Sequence, residues 1–151
     1  MDGTSITQFI RDNFDGVDVV VASKENEAPE AAWGDTFFFY DPERRAEAHR
    51  FPFATIVIKD YAGFDEASNL NRAGVFRLNI GVGKETFESL FGTNEVTHDF
   101  AALDKIMPHP VYGKMYWVSV LNPGAETFAA VRPMLAEAYD VKGRQLKPAA
   151  S

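Results

Sequence analysis

The sequence predicts an α+β fold in two layers, a mainly antiparallel sheet with helices packed on one of its faces. Three observations predict it. Apolar residues recur at helical spacing near both ends of the chain and once in its middle. Between them lie short runs rich in Val, Ile, Thr and aromatic residues, the signature of strands. The two kinds of segment do not alternate regularly, which argues against a doubly wound parallel sheet and for an antiparallel one covered on one side.

The elements follow in chain order. Ile6, Phe9, Ile10 and Phe14 fall on one helical face, with Thr4 or Ser5 as the expected cap and Gly16 as the stop. Val17 to Ser23 reads as a Val-rich strand, and the polar stretch Lys24 to Gly34, with Pro29, as a loop. Thr36 to Tyr40 is an aromatic strand closed by Asp41-Pro42, followed by a charged excursion from Glu43 to Arg50. Phe53 to Lys59 resumes as a strand. Tyr61 to Gly74 is a long loop, of a length that often serves function. Val75 to Val82 alternates, with Phe76, Leu78 and Ile80 on one side and Arg77 and Asn79 on the other.

Lys84 to Phe91 is expected to be a helix that buries Phe87, Leu90 and Phe91 and ends at Gly92. The spacing of Phe100, Leu103 and Ile106 predicts a short helix between Thr97 and Met107. Pro108-His109-Pro110 must be extended or turned, because a residue before proline avoids the α region. Tyr116 to Leu121 is the last strand and Asn122-Pro123-Gly124 a turn. Glu126 to Val141 is the last helix, with Phe128, Val131, Leu135 and Tyr139 inward and a kink or restart expected at Pro133. Residues 1–151 form one domain on this reading, with 142–151 a frayed tail.

Composition narrows the chemistry. The 151 residues include 13 Phe, 5 Tyr and 2 Trp, enough apolar material for a core. There is no Cys, so disulfides, thiolate nucleophiles and Cys-based metal sites are excluded. No apolar run approaches the ~18 residues that span a bilayer, and the start lacks a signal-peptide pattern, so a cytoplasmic location and no membrane are expected. The net charge of −7 argues against nucleic acid, whose binding rests on phosphate neutralisation.

Candidate sites come from the alternation. With Ala54, Ile56 and Ile58 inward on the third strand, and Tyr116, Val118 and Val120 inward on the last, Thr55, Lys59, Arg77, Asn79, Trp117 and Ser119 share the face turned from the helices. Two cations, an amide, hydroxyls and an indole form a platform for an anion or a polar ligand. On that reading Arg77→Ala and Trp117→Ala leave the fold intact. The alternative is an ordinary solvated sheet face, and one slip in register would reverse the assignment.

A second candidate is His109, held between two prolines near Tyr112, with a side chain suited to acid–base work. Tyr40 joins the candidate ligand contacts. The pairs Asp12/Asp15 and Glu25/Glu27 lack an EF-hand pattern, and Gly81-Val82-Gly83-Lys84 lacks the spacing and the hydroxyl of a phosphate loop. No cofactor and no metal are expected.

Several blocks resemble an uncharacterised bacterial domain-of-unknown-function family, family 6194. They are Trp33-Gly34-Asp35, Phe37-Phe38-Phe39-Tyr40-Asp41-Pro42, Phe51-Pro52-Phe53-Ala54-Thr55-Ile56-Val57, Arg77-Leu78-Asn79-Ile80-Gly81-Val82 and His109-Pro110-Val111-Tyr112. The succession of Phe76 to Ile80, Lys84 to Phe91, Pro108 to Tyr112, Trp117-Val118-Ser119-Val120 and Leu135 to Tyr139 also resembles, more distantly, YjbR/MmcQ-like proteins. That resemblance implies a two-layer architecture similar to CyaY-like or secretion-chaperone-like domains, and DNA binding.

These readings converge on a small binding module, not an enzyme. It would use the open sheet face, with Lys59, Arg77, Asn79 and Trp117 helped by Tyr40, His109 and Tyr112, for an anionic small molecule or a protein segment, as a monomer or a homodimer. The alternatives are a nucleic-acid-associated protein and a hydrolase-type enzyme using His109.

Overall fold

The computed structural model describes residues 1–45 and 51–146. Its elements run α1 (Gly3–Asn13), β1 (Val17–Val21), β2 (Thr36–Tyr40), β3 (Ala54–Val57), β4 (Arg77–Gly81), α2 (Lys84–Phe91), β5 (Ile106–Pro108), β6 (Trp117–Leu121) and α3 (Ala125–Leu146). The six strands form one sheet in the order β1-β2-β3-β4-β6-β5, every pair antiparallel. The fold class expected from the sequence is the one observed. The charged excursion over Glu43 to Arg50 lies outside the described residues beyond Arg45, and so does the end of the expected tail beyond Leu146.

α1 starts at Asp2, whose carboxylate accepts the Ser5 N–H at 2.8 Å; the cap is therefore Asp2, not Thr4 or Ser5. Ile6 and Ile10 bury their side chains against the sheet, and Phe9 meets Phe128 of α3 edge-on at 5.3 Å. Gly16 turns the chain into β1 at φ +72, where a Cβ would come within 2.8 Å of Pro42. α3 contributes Phe128, Val131, Leu135 and Ala138 to the same core, and it passes through Pro133 without restarting. The sheet supplies Phe38, Ala54, Ile56, Leu78, Ile80, Val118 and Val120. The inward set expected for β4 and the centres of β3 and β6 is thus correct.

Three expectations are corrected at the margins. Ile58 lies past the end of β3 and is exposed. Tyr116 precedes β6 in a left-handed conformation, φ +67, and packs on Phe87 instead of entering the strand. Leu90 is exposed, and α2 has no fully buried residue. α2 is held at its start by α3: Glu137 accepts the Gly83 N–H and the Thr86 hydroxyl, both at 2.5 Å, a carboxylate at the positive end of a helix.

The larger correction concerns Thr97 to Met107. No helix forms there; Ile106–Pro108 becomes β5 and pairs with β6 in the register Met107↔Ser119. Pro108 is tolerated because β5 is an edge strand, where a missing donor costs little. This segment and the loop between β3 and β4 cover the sheet face turned from the helices. Val57, Met107 and Leu121 on that face form a second apolar cluster with Leu70, flanked by Tyr61, Val75 and Phe100. The centre of the sheet is therefore buried on both sides, by helices on one and by loops on the other.

Candidate functional site

β4 is the middle of the site because it is the middle of the sheet. Its odd-numbered residues point away from the helices, as the alternation requires. Pairing with β3 sets Thr55 opposite Asn79, and pairing with β6 sets Ser119 on the other side of it. The three form a chain: Ser119 Oγ donates to Asn79 Oδ1 at 2.8 Å, and Asn79 Nδ2 donates to Thr55 Oγ1 at 3.0 Å. These residues were expected on an open surface. Arg77 is 1% exposed and Asn79 and Ser119 2% each, so the face is correctly assigned but covered.

What covers it also neutralises it. Arg77 and Asp65 meet in a two-pronged pair, Nη1–Oδ1 at 3.0 Å and Nη2–Oδ2 at 2.5 Å. Nη1 also donates to Ser68 Oγ at 2.9 Å and Nε to Asn79 Oδ1 at 2.8 Å. Asp65 is fixed by the loop itself, which closes on an antiparallel bridge between residues 61 and 65. A buried guanidinium needs such a partner, since an uncompensated charge in the interior is far more costly than a pair. The platform for an anion expected from the sequence therefore loses its positive charge to Asp65.

His109 stands on the other side of Arg77, in the turn after β5. Its Nδ1 accepts two backbone N–H groups, from Val111 and Tyr112, at 3.0 Å each. The imidazole is 5% exposed, and burial together with the Arg77 charge pulls its pKa down to about 3, partly opposed by Asp65. It is neutral at ordinary pH. With Nδ1 occupied as an acceptor, the ring proton belongs on Nε2, which lies 3.3 Å from Arg77 Nη2. A ring in this state has no free lone pair to take a proton, which weighs against His109 as a general base.

Tyr61 completes the polar floor. Its hydroxyl donates to Asp35 Oδ2, and Asp35 Oδ1 accepts the Ile58 N–H at 2.9 Å. Asp35 is fully buried, and desolvation raises its pKa, opposed by the hydrogen bonds from Tyr61 and Ile58 and by Lys59 and Arg77. Burial and the bond to Asp35 push the Tyr61 phenol well above its usual value, so it remains a donor.

Above this floor is a cavity of about 410 Å³, within the range that holds small ligands. Thr55, Tyr61, Asp65, Arg77, Asn79 and His109 line its polar side. Phe37, Phe51, Phe64, Tyr112, Met115 and Trp117 form an apolar collar, of which Phe51, Phe64, Tyr112 and Met115 are exposed. Phe64 and Tyr112 touch across it, ring centres 6.1 Å apart. Trp117 can lie along the sheet because its cross-strand partner is Gly81: a Cβ there would stand 3.0 Å from the indole.

Of the candidate residues, Arg77, Asn79, His109, Tyr112 and Trp117 converge on this cavity. Tyr40 and Lys59 do not line it. Tyr40 faces the helix side, edge-on to Tyr139 at 5.2 Å. Lys59 Nζ donates to the Trp33 carbonyl and lies 4.0 Å from Asp35. Asp35, Tyr61, Asp65 and Ser68 escaped the sequence reading.

The matched segment is nearly the whole length: residues 1–150 fit the model of a family of unknown function, DUF6194. The chain belongs to that family. No curated protein and no solved structure matches it. Among the described residues of this DUF6194 protein, no helix is long and apolar enough to cross a membrane.

Proposed function

We propose that this DUF6194 protein is a binding module for a small molecule with a largely apolar body, held in the collared cavity over β4. One observation carries the reading. Six polar residues from four separate segments meet at the base of a cavity whose mouth is aromatic, with four of the collar side chains left exposed. Solvent-exposed aromatic side chains around a concave site are the usual form of a ligand collar. The charge argument redirects the ligand. Arg77 is paired with Asp65 and His109 is neutral, so the floor offers hydrogen bonds more than net charge.

The nucleic-acid reading implied by the likeness to YjbR-like proteins gains no support from a chain of net charge −7. A hydrolase reading would need a base, and His109 has its Nδ1 lone pair engaged.

Titration with simple substituted benzenes, followed by amide and indole NMR, tests the proposal. Millimolar binding should shift the Trp117 indole and the backbone of Tyr112 and Phe64 while leaving the Trp33 indole still. No shift at any of these sites, or shifts centred elsewhere, would overturn it.

A further inference from the structure

A second cavity, of about 380 Å³, opens between α2, the loop after it and the turn after β5, and shares only His109 with the collared one. Phe87, Phe91, His98, Phe100 and Tyr116 line it, and all five rings are half-buried. Phe87 meets Phe91 at 4.9 Å with the planes 67° apart, and Tyr116 at 5.7 Å with the planes 65° apart. Phe91 meets His98 at 5.9 Å with the planes 81° apart. Rings at such angles form the sides of a recess, not a stack. α2 buries no residue fully, although Phe87 and Phe91 are its apolar stripe: the stripe leans on the edge of the core and also lines the cavity. Tyr116 is held there at a conformational cost, in the left-handed region at φ +67, where a residue with a Cβ is strained. That backbone turn keeps the phenol out of β6 and sets it against Phe87. Strain of this kind gathers at ligand sites.

Glu88 and Glu95 line the same recess, and so does Lys114, which leaves one acid in excess. Neither glutamate has an ion-pair partner among the described residues. The faces of aromatic rings carry partial negative charge and attract cations, most strongly where water is excluded. A primary ammonium needs acceptors for three N–H groups, and these walls are mainly rings. A fully methylated ammonium has no N–H to satisfy, and its methyl groups pack on rings. We propose that this second cavity binds a small quaternary ammonium compound, with the methyl groups against Phe87, Phe91 and Tyr116 and the charge balanced by Glu88 and Glu95.

Three probes with a common hydroxyethyl arm test this: choline, its uncharged carbon isostere dimethylbutanol, and ethanolamine. Choline should bind at least about fivefold more tightly than the isostere, as expected of a partly desolvated cation on several rings. It should also bind more tightly than ethanolamine. Amide shifts on choline addition should centre on Gly92, His98 and Tyr116 and leave Phe64 of the collared cavity still. Equal binding of choline and dimethylbutanol, or no binding of choline at millimolar concentration, would overturn the proposal. Ethanolamine binding as tightly as choline would overturn the preference for a methylated cation. Shifts centred on Phe64 would overturn the assignment to this cavity. None of these outcomes touches the collared cavity as a site for benzenes, which has its own titration.

Two variants separate the rings from the charge. Phe91→Leu keeps an apolar side chain and removes one ring, so choline should fall toward the isostere in affinity. Glu95 is exposed, so Glu95→Gln is expected to fold; it should weaken choline and spare dimethylbutanol. Unchanged choline affinity in the folded variants would overturn the proposal.

Discussion

Asp65 and Arg77 join a loop to the central strand of the sheet through two parallel hydrogen bonds, with Arg77 1% and Asp65 7% exposed. Neither side chain has water to turn to if the other is removed. Asp65→Asn leaves a buried guanidinium without its counter-charge, and Arg77→Ala does the same to the carboxylate. Each is expected to cost about 3–5 kcal/mol, measured by urea unfolding. This reverses the expectation that Arg77→Ala leaves the fold intact. A loss under about 1 kcal/mol would mean that water reaches the pair.

His109 sets a pH dependence of defined sign. In the unfolded chain its pKa is near the ordinary histidine value of 6.5, and in the fold about 3. Above pH 6.5 both states are neutral and the residue contributes no slope. Between about 6.5 and 3 the unfolded chain takes up a proton that the folded chain refuses, so stability falls as pH falls, by up to about 1.4 kcal/mol per pH unit. His109→Gln, which cannot titrate, should lack this component. Parallel stability profiles for wild type and variant over that window would contradict the burial of the ring.

Asp35 works in the other direction. Its folded pKa is raised above 3.8, chiefly by desolvation. Below the unfolded value both states hold the proton. As pH rises above it, the unfolded chain ionises first, so stability is lost with rising pH until the folded group ionises as well. Asp35→Asn should therefore gain on the wild type as pH increases from about 4. The slope of the difference is the test, because the amide also changes the bonds to Ile58 and Tyr61 by a fixed amount. A difference that shrinks with pH would contradict the sign.

The sheet was legible because side-chain direction in a strand is set by parity: once Leu78 and Ile80 are inward, Arg77 and Asn79 must be outward. The same parity puts Tyr40 with Phe38 on the helix side, which is why it does not reach the cavity. β5 was misread because the apolar spacing of Phe100, Leu103 and Ile106 imitates a helix. Leu103 is exposed, Met107 is the fully buried residue, and pairing to β6 decides the structure. Asp65 and Ser68 were invisible for a different reason. Their approach to Arg77 depends on how a polar loop folds back over a sheet, and no local pattern encodes it. An outward Arg on a central strand, facing a long loop with one acid near its middle, is the signal that would have found them.

Gly81 and Trp117 give the last prediction, one that joins fold to site. They are cross-strand partners, and the indole lies over the glycine with Cε2 and Cζ2 at 3.0 and 3.1 Å from where a Cβ would be. Those distances are tighter than nearly all carbon–carbon contacts at a Cβ, so the indole must give by a few tenths of an ångström. Gly81→Ala must therefore lift or rotate the indole, while the backbone of β4 gains a residue that strands accept slightly better than glycine. The expected result is a protein that remains folded, with a shifted Trp117 indole resonance and altered emission, and with weaker binding of the aromatic probes whose ring Trp117 supports. Trp117→Ala should weaken the same binding by removing the wall outright. If Gly81→Ala leaves both the indole resonance and the affinity unchanged, the indole does not rest on Gly81 in solution, and the collar on that side is formed by other residues.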